Sequence, residues 1–186
     1  SDEILKRMNR KHTAAGYIDI VERLRKARPD IALSSDFIVG FPGESARDFE
    51  DTLALVRTVG YAQAYSFKYS ARPGTPAAAD DNQVAEAVKD ERLQRLQALI
   101  QRQQTDFNRA CVGRVMPVLF TKDGKHSGQL LGKSPYMQSV VVEGGEHLRG
   151  EIVDVLITDA YLNSLAGTVP SNDASQPRIQ AIRSMR

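Results

Sequence analysis

Two segments of this sequence carry residue types suited to holding a small ligand. Residues 62–70 alternate Ala62, Ala64, Ser66, Lys68 and Ser70 with Gln63, Tyr65, Phe67 and Tyr69, so a strand here has one small polar face and one large aromatic face. If helices cover the aromatic face, the small polar face looks into a cleft or barrel interior, where a cofactor sits. An edge strand with one wet face gives the same alternation. Lys68 and Arg72 fall near the carboxyl end of that strand, where β/α folds keep their chemistry. Gly40-Phe41-Pro42-Gly43-Glu44 follows another strand. Its glycines let a ligand approach the backbone, and the helix start beyond favours anions, although a structural turn explains the same residues.

Further along, Arg114, Lys122, Lys125, His126, Lys133 and Arg149 are basic, and Phe120, Tyr136 and Tyr161 are aromatic. Such groups neutralise phosphates and stack on unpaired bases, or simply form a solvated surface. Residues 128–134, Gly-Gln-Leu-Leu-Gly-Lys-Ser, imitate a phosphate-binding P-loop. That motif needs four residues between its glycines and a helix afterwards; three residues and a strand-like run stand here, so nucleotide hydrolysis is not expected. His12, His126 and His147 lack metal-ligand spacing, and the single Cys111 can hold neither an internal disulfide nor an iron–sulfur cluster unaided. No catalytic residue and no metal ligand is assigned.

Three regions must position these groups. Residues 1–79 alternate helix and strand signals. Thr13 precedes an apolar stripe of Tyr17, Ile20, Val21 and Leu24, and residues 31–40 read as a strand apolar on both faces at Phe37-Ile38-Val39. Ser45 and Asp48 open a capping-box-like helix carrying Phe49, Leu53 and Val56, which Gly60 ends. This is βα patterning with a parallel sheet, yet two strands close no barrel, so the region reads as a piece of something longer. Residues 84–110 form one long amphipathic helix with Leu93, Leu96, Ile100 and Phe107 on one side; Lys89, Arg92, Arg95, Arg102 and Arg109 are expected on a solvated face. From residue 112 to about 170 the period changes: runs at 115–121, 139–142, 151–158 and 161–169, with turns at Asp123-Gly124 and Gly144-Gly145, predict a small antiparallel, OB-like barrel. Residues 171–186 are expected to form a mobile tail. The expected fold class is therefore α/β: a partial parallel β/α barrel with its connecting helix over 1–111, then a small β-barrel over 112–170.

Composition sets the outer limits. Of 186 residues, 41% are hydrophobic and 26% charged, which excludes collagen, a disordered tail and a disulfide-stapled miniprotein. Net charge is 25 − 23 = +2, so any basic patch must be local. No apolar run reaches the length of a membrane span, and a reduced cytoplasmic setting is expected.

Residues 36–44 and 65–76, Asp-Phe-Ile-Val-Gly-Phe-Pro-Gly-Glu and Tyr-Ser-Phe-Lys-Tyr-Ser-Ala-Arg-Pro-Gly-Thr-Pro, together with Met8-Asn9-Arg10-Lys11-His12-Thr13, resemble the radical S-adenosylmethionine methylthiotransferases. The likeness extends over about residues 1–170 and is closest to the MiaB type, which acts on N6-isopentenyladenosine beside the tRNA anticodon. The β-rich region resembles the TRAM domain, an RNA-binding barrel, including at Gly132-Lys133-Ser134 and Leu165-Ala166-Gly167. The resemblance implies an enzyme using S-adenosylmethionine and two [4Fe–4S] clusters, with tRNA as partner. It makes Ile38, Gly40, Ser66 and Lys68 the candidates lining the cofactor pocket; Arg72, by its charge and position, and Arg114, Lys122, Lys125, Lys133 and Arg149, by their charge, are the RNA-binding candidates. The family's Cys-x-x-x-Cys-x-x-Cys motif is absent. The chain is therefore expected to be a carboxyl-terminal portion, inactive without the amino-terminal part of the same enzyme. Relatives acting on threonylcarbamoyl-adenosine or on a ribosomal protein, and a non-catalytic RNA-binding module, are the alternatives.

Overall fold

A computed structural model describes residues 1–170; the stretch expected to be a mobile tail, 171–186, lies outside the described residues. The chain divides into two compact units, Ser1–Phe107 and Asn108–Arg186.

The first unit follows the βα pattern. After helix α1 (Asp2–Arg7), Thr13 caps α2 (Ala14–Ala27), its hydroxyl accepting from the Gly16 N–H at 3.1 Å. Strand β1 (Ser34–Val39) leads to α3 (Ala46–Val59), where Ser45 and Asp48 form the reciprocal capping box and Gly60 adopts the left-handed conformation that ends the helix. Arg25 of α2 donates to the last carbonyls of α3, on Val59 and Gly60, a cation placed where the helix dipole is negative. Strand β2 (Gln63–Lys68) pairs with β1 in parallel, bringing Ile38 beside Phe67 and Val39 beside Lys68. A short 3-10 turn, Pro76–Ala79, precedes the long helix α4 (Glu86–Arg109).

The core of this unit is one-sided. Val21 from α2, Phe49, Leu53, Val56 and Val59 from α3, and Leu96 and Ile100 from α4 pack with Val39 and Tyr61 on a single face of the sheet. Burial of each such side chain contributes about 1.5–3 kcal/mol. The expected stripe of α2 is narrower than its spacing suggests: Val21 is buried and Tyr17 packs on the core, but Ile20 and Leu24 are exposed. Phe37 faces the helices while Ile38 does not, so β1 is covered on one face instead of two. Gln103 of α4 ties α3 to the turn beyond it, donating to the Val56 carbonyl at 2.7 Å and accepting from the Tyr61 N–H at 3.1 Å.

The second unit is a closed five-stranded barrel of β3 (Val115–Asp123), β4 (Gln129–Lys133), β5 (Ser139–Glu143), β6 (Ile152–Ala160) and β7 (Ser164–Thr168), in the order β3-β4-β5-β7-β6. Four of the five pairings are antiparallel, and β5 with β7 is parallel, so the barrel is mixed where a purely antiparallel one was expected. Strict alternation sends Met116, Val118, Phe120, Leu130, Val140, Val142, Val155, Ile157 and Leu165 inward. A polar plug lies among Asn108, Gln138 and Ser134: Asn108 donates to the carbonyls of Tyr161 and Leu162, and the Gln138 amide donates to Asn108 Oδ1 at 2.7 Å while accepting from Ser134 Oγ. The Cys111 thiol is buried beside Gln138.

Candidate functional site

The two faces of the small sheet are the reverse of the expected arrangement. Tyr65 and Phe67 are 52% and 54% exposed, and Ile38 is 44% exposed; with Asp36 they share the open face through the pairs Asp36–Tyr65 and Ile38–Phe67. Ala64, Ser66 and Lys68 lie on the helix-covered face beside Ser35, Phe37 and Val39. The physical reason is room: α3 and α4 bring their own bulk (Phe49, Leu53, Leu96) to the sheet, so the strand face beneath them must be small. Ser66 and Lys68 therefore do not line the open face. The Lys68 ammonium is held by α4 instead, donating to Asp90 at 2.7 Å and to Glu86, bonds that keep it protonated above the ordinary lysine range.

The turn after β1 is similarly occupied by this chain. Gly40 is buried at φ +73°, and a Cβ there would run into the stem of Lys89; at Gly43 it would meet the Arg7 guanidinium. Both glycines thus make way for the protein's own cations, not for a ligand. The start of α3, expected to attract an anion, already holds the Asp48 carboxylate. Burial alone would raise the Asp48 pKa, but hydrogen bonds from Ser1 and Ser45 hold it below the ordinary range.

At the centre of this turn, Glu44 Oε1 accepts the Gly40 N–H at 3.0 Å and an Arg92 N–H at 2.6 Å, and the same Arg92 nitrogen donates to the Glu44 carbonyl at 3.0 Å. Both side chains are buried, with 3% and 7% of their surface exposed. Burial pushes the Glu44 carboxyl upward, and its bonds to Gly40 and Arg92 only partly offset this. Arg92 was expected on the solvated side of α4; charge composition alone could not reveal that a carboxylate waits for it. Neither Glu44 nor the open-face pair Tyr65 and Phe67 stood among the expected site residues, although the alternation had already put those two aromatics on one side.

Nearby, the Phe41 and Tyr69 rings meet edge-on at 5.2 Å between centroids, and the Lys89 ammonium lies 5.8 Å from the Tyr69 ring. The Tyr69 hydroxyl is buried and has no hydrogen-bond partner among the described residues. An unsatisfied buried hydroxyl costs about 1–3 kcal/mol. Tyr69→Phe is accordingly expected to leave the thermal midpoint unchanged or higher; a clear loss of stability would mean that the hydroxyl is satisfied in solution. Arg72 is exposed in the loop after β2.

On the barrel the basic candidates fall into two groups. Lys122 and Lys125 are exposed around the β3–β4 turn, where Arg149 ion-pairs with Asp123, so its charge is partly offset. Arg114 lies over the Tyr136 ring, 5.6 Å from its centroid, and donates to its hydroxyl at 3.1 Å. Lys133 reaches the Met137 carbonyl and Ser139 across the following turn. Arg114 immediately precedes β3 and Lys122 lies near its far end, eight residues on, about 26 Å along an extended strand. Tyr161 is exposed, but Phe120 is fully buried in the barrel interior and cannot stack on a base. The P-loop imitation is strand β4 followed by a turn in which Ser134 Oγ accepts the Tyr136 N–H.

Among the described residues no group of three or more His, Cys, Asp or Glu could hold a metal ion, and no helix is long and apolar enough to cross a membrane. Residues 1–56 match the model of the Radical SAM superfamily, and residues 109–169 match that of the TRAM domain. The chain is thus similar to the radical SAM superfamily in its first unit and to TRAM domains in its second. It is 60% identical over 167 residues, 90% of its own length, to a tRNA-2-methylthio-N(6)-dimethylallyladenosine synthase of Jannaschia sp. (strain CCS1), covering 36% of that protein. To the proteins of the same name in Rickettsia rickettsii, strains Sheila Smith and Iowa, it is 58% identical over 170 residues, 91% of the chain and 38% of each relative. The chain thus spans little more than a third of the length of the curated relatives it matches.

Proposed function

We propose that the chain is the carboxyl-terminal portion of a cytoplasmic enzyme that adds a methylthio group to N6-isopentenyladenosine (the dimethylallyl form of its relatives' names) beside the tRNA anticodon. The observation that carries this reading is the 58–60% identity running through both units to relatives so named. Bound S-adenosylmethionine, with reduced [4Fe–4S] clusters, would supply radical activation of a C–H bond and the transferred sulfur, chemistry that side chains cannot perform. The described residues do not fit a cluster: Cys111 is buried against Gln138, and no ligand set surrounds it. Cluster ligands belong to the remainder of the enzyme.

The open sheet face does fit one wall of a cofactor or substrate chamber. Ile38 and Phe67 offer apolar surface and Tyr65 a ring that can lie against a flat base. Gly40 shapes the adjoining turn from beneath, and Ser66 and Lys68 support the wall from behind. The wall excludes water on its side only, so the complete enzyme must close the chamber.

RNA contact is assigned to Arg72, Arg114, Lys122, Lys125, Lys133 and Arg149, with Tyr136 and Tyr161 offering ring surface. Replacing Lys122, Lys125 and Lys133 together by alanine is expected to weaken tRNA binding. If each engages one phosphate, the slope of log K against log salt flattens by about 2. Unchanged binding and slope would remove the barrel from the interface. The activity itself is tested by reconstituting the full-length protein with iron and sulfide and analysing tRNA nucleosides by mass. Methylthiolated isopentenyladenosine is the expected product, and modification of threonylcarbamoyl-adenosine instead would overturn the substrate assignment.

A further inference from the structure

We infer that Arg92 is a positioning residue for the cofactor wall, fastening the turn at Gly40–Glu44 that directly follows the strand bearing Ile38. This deepens the proposed function and rests on it. Three observations meet at this point. One Arg92 nitrogen bonds both the carboxylate and the main-chain carbonyl of Glu44, so it fixes that residue's side chain and backbone together. The carboxylate in turn accepts the Gly40 N–H, closing the five-residue turn on itself. Lys89, one turn earlier on α4, lays its stem against Gly40, where a glycine is required.

The same stretch of α4 also reaches the second strand. Glu86 and Asp90 hold Lys68 at the carboxyl end of β2. Residues 86–92 therefore fasten the carboxyl ends of both strands, the ends at which β/α folds place ligands. A hydrogen-bonded charge that is buried and committed to a backbone carbonyl sets geometry more than it adds net stability. Arg95, three residues on, makes the contrasting case: it pairs with Glu50 and Glu91 at the exposed surface.

The test uses the full-length enzyme with Arg92→Met, Arg92→Lys, Leu96→Ala and Arg95→Met. Leu96 is fully buried on the same helix and serves as a control for lost stability without altering the turn. Arg92→Met is expected to raise KM for S-adenosylmethionine about tenfold with little change in kcat, the signature of lost ground-state positioning. Amide exchange at the turn, residues 40–44, should accelerate in the same variant beyond the rise that lost stability brings to the whole unit, whereas Leu96→Ala shows only that general rise with KM near the parent value, and Arg95→Met leaves both readouts near the parent values. Arg92→Lys keeps a charge for Glu44, but its shorter side chain places the single ammonium differently against the carboxylate and the carbonyl, so it is expected to fall between; it carries the test if the methionine variant does not fold. An unaltered KM and exchange pattern, or an equal change in Leu96→Ala, overturns the inference. Failure of the parent enzyme to cleave S-adenosylmethionine would instead overturn the proposed function, while the exchange readout still reports on the turn.

Discussion

Arg92→Met is expected to lower stability by about 3–5 kcal/mol, because it strands the Glu44 carboxylate in the interior. The magnitude comes from the partner left behind. Glu44 would keep the Gly40 N–H but lose the two bonds from Arg92, and its carboxyl is already pushed upward by burial. The double variant Glu44→Gln/Arg92→Met removes both charges and retains an amide oxygen for Gly40, so it should recover much of the loss. Thermal and urea midpoints of the parent, both single variants and the double variant give the coupling directly. A double variant no more stable than Arg92→Met would show that the ion pair is not what holds this corner.

The second large effect lies in the barrel. Gly132 and Gly167 both point inward, on β4 and β7. An added Cβ at Gly132 would lie 2.5 Å from a Val118 methyl and 2.7 Å from the Leu119 carbonyl oxygen; at Gly167 the corresponding atoms are those of Val155 and Leu156, at the same distances. A side chain could swing aside, but a ladder carbonyl can move only with its strand. Alanine at either position is expected to cost about 1–3 kcal/mol, the range for overpacking a filled core, and toward its upper end because backbone must yield. A thermal midpoint unchanged by Gly132→Ala or Gly167→Ala would mean that the barrel is looser than its packing indicates.

Local rules were legible wherever one residue type had a single mechanical reason. Thr13, the Ser45–Asp48 box and Gly60 mark helix ends in the sequence, and the same residues terminate α2 and α3. Alternation in residues 115–121 and 151–158 likewise corresponds to the barrel strands β3 and β6. Strand β4 gives little signal because Gln-Leu-Leu-Gly-Lys is short and glycine-interrupted; that glycine, which weakens the strand signal, is what lets the barrel close tightly there. The sheet faces differ from the expected ones for another reason. Alternation identifies two faces but not which is covered, and the usual preference for large residues inside was reversed by helices that supply the bulk themselves. Arg92 illustrates the limit on charge: its burial depends on Glu44, forty-eight residues earlier, and helical periodicity holds no information about that partner.

Strand β7 sits between β5 and β6 although it is last in the chain. During synthesis, the four preceding strands can form only an open sheet with two unsatisfied borders until residues 164–168 emerge to join them. Assembly of this module is therefore a late event, gated by its final few residues, and a ribosome stalled just short of them would display the unpaired rims that invite association between nascent chains.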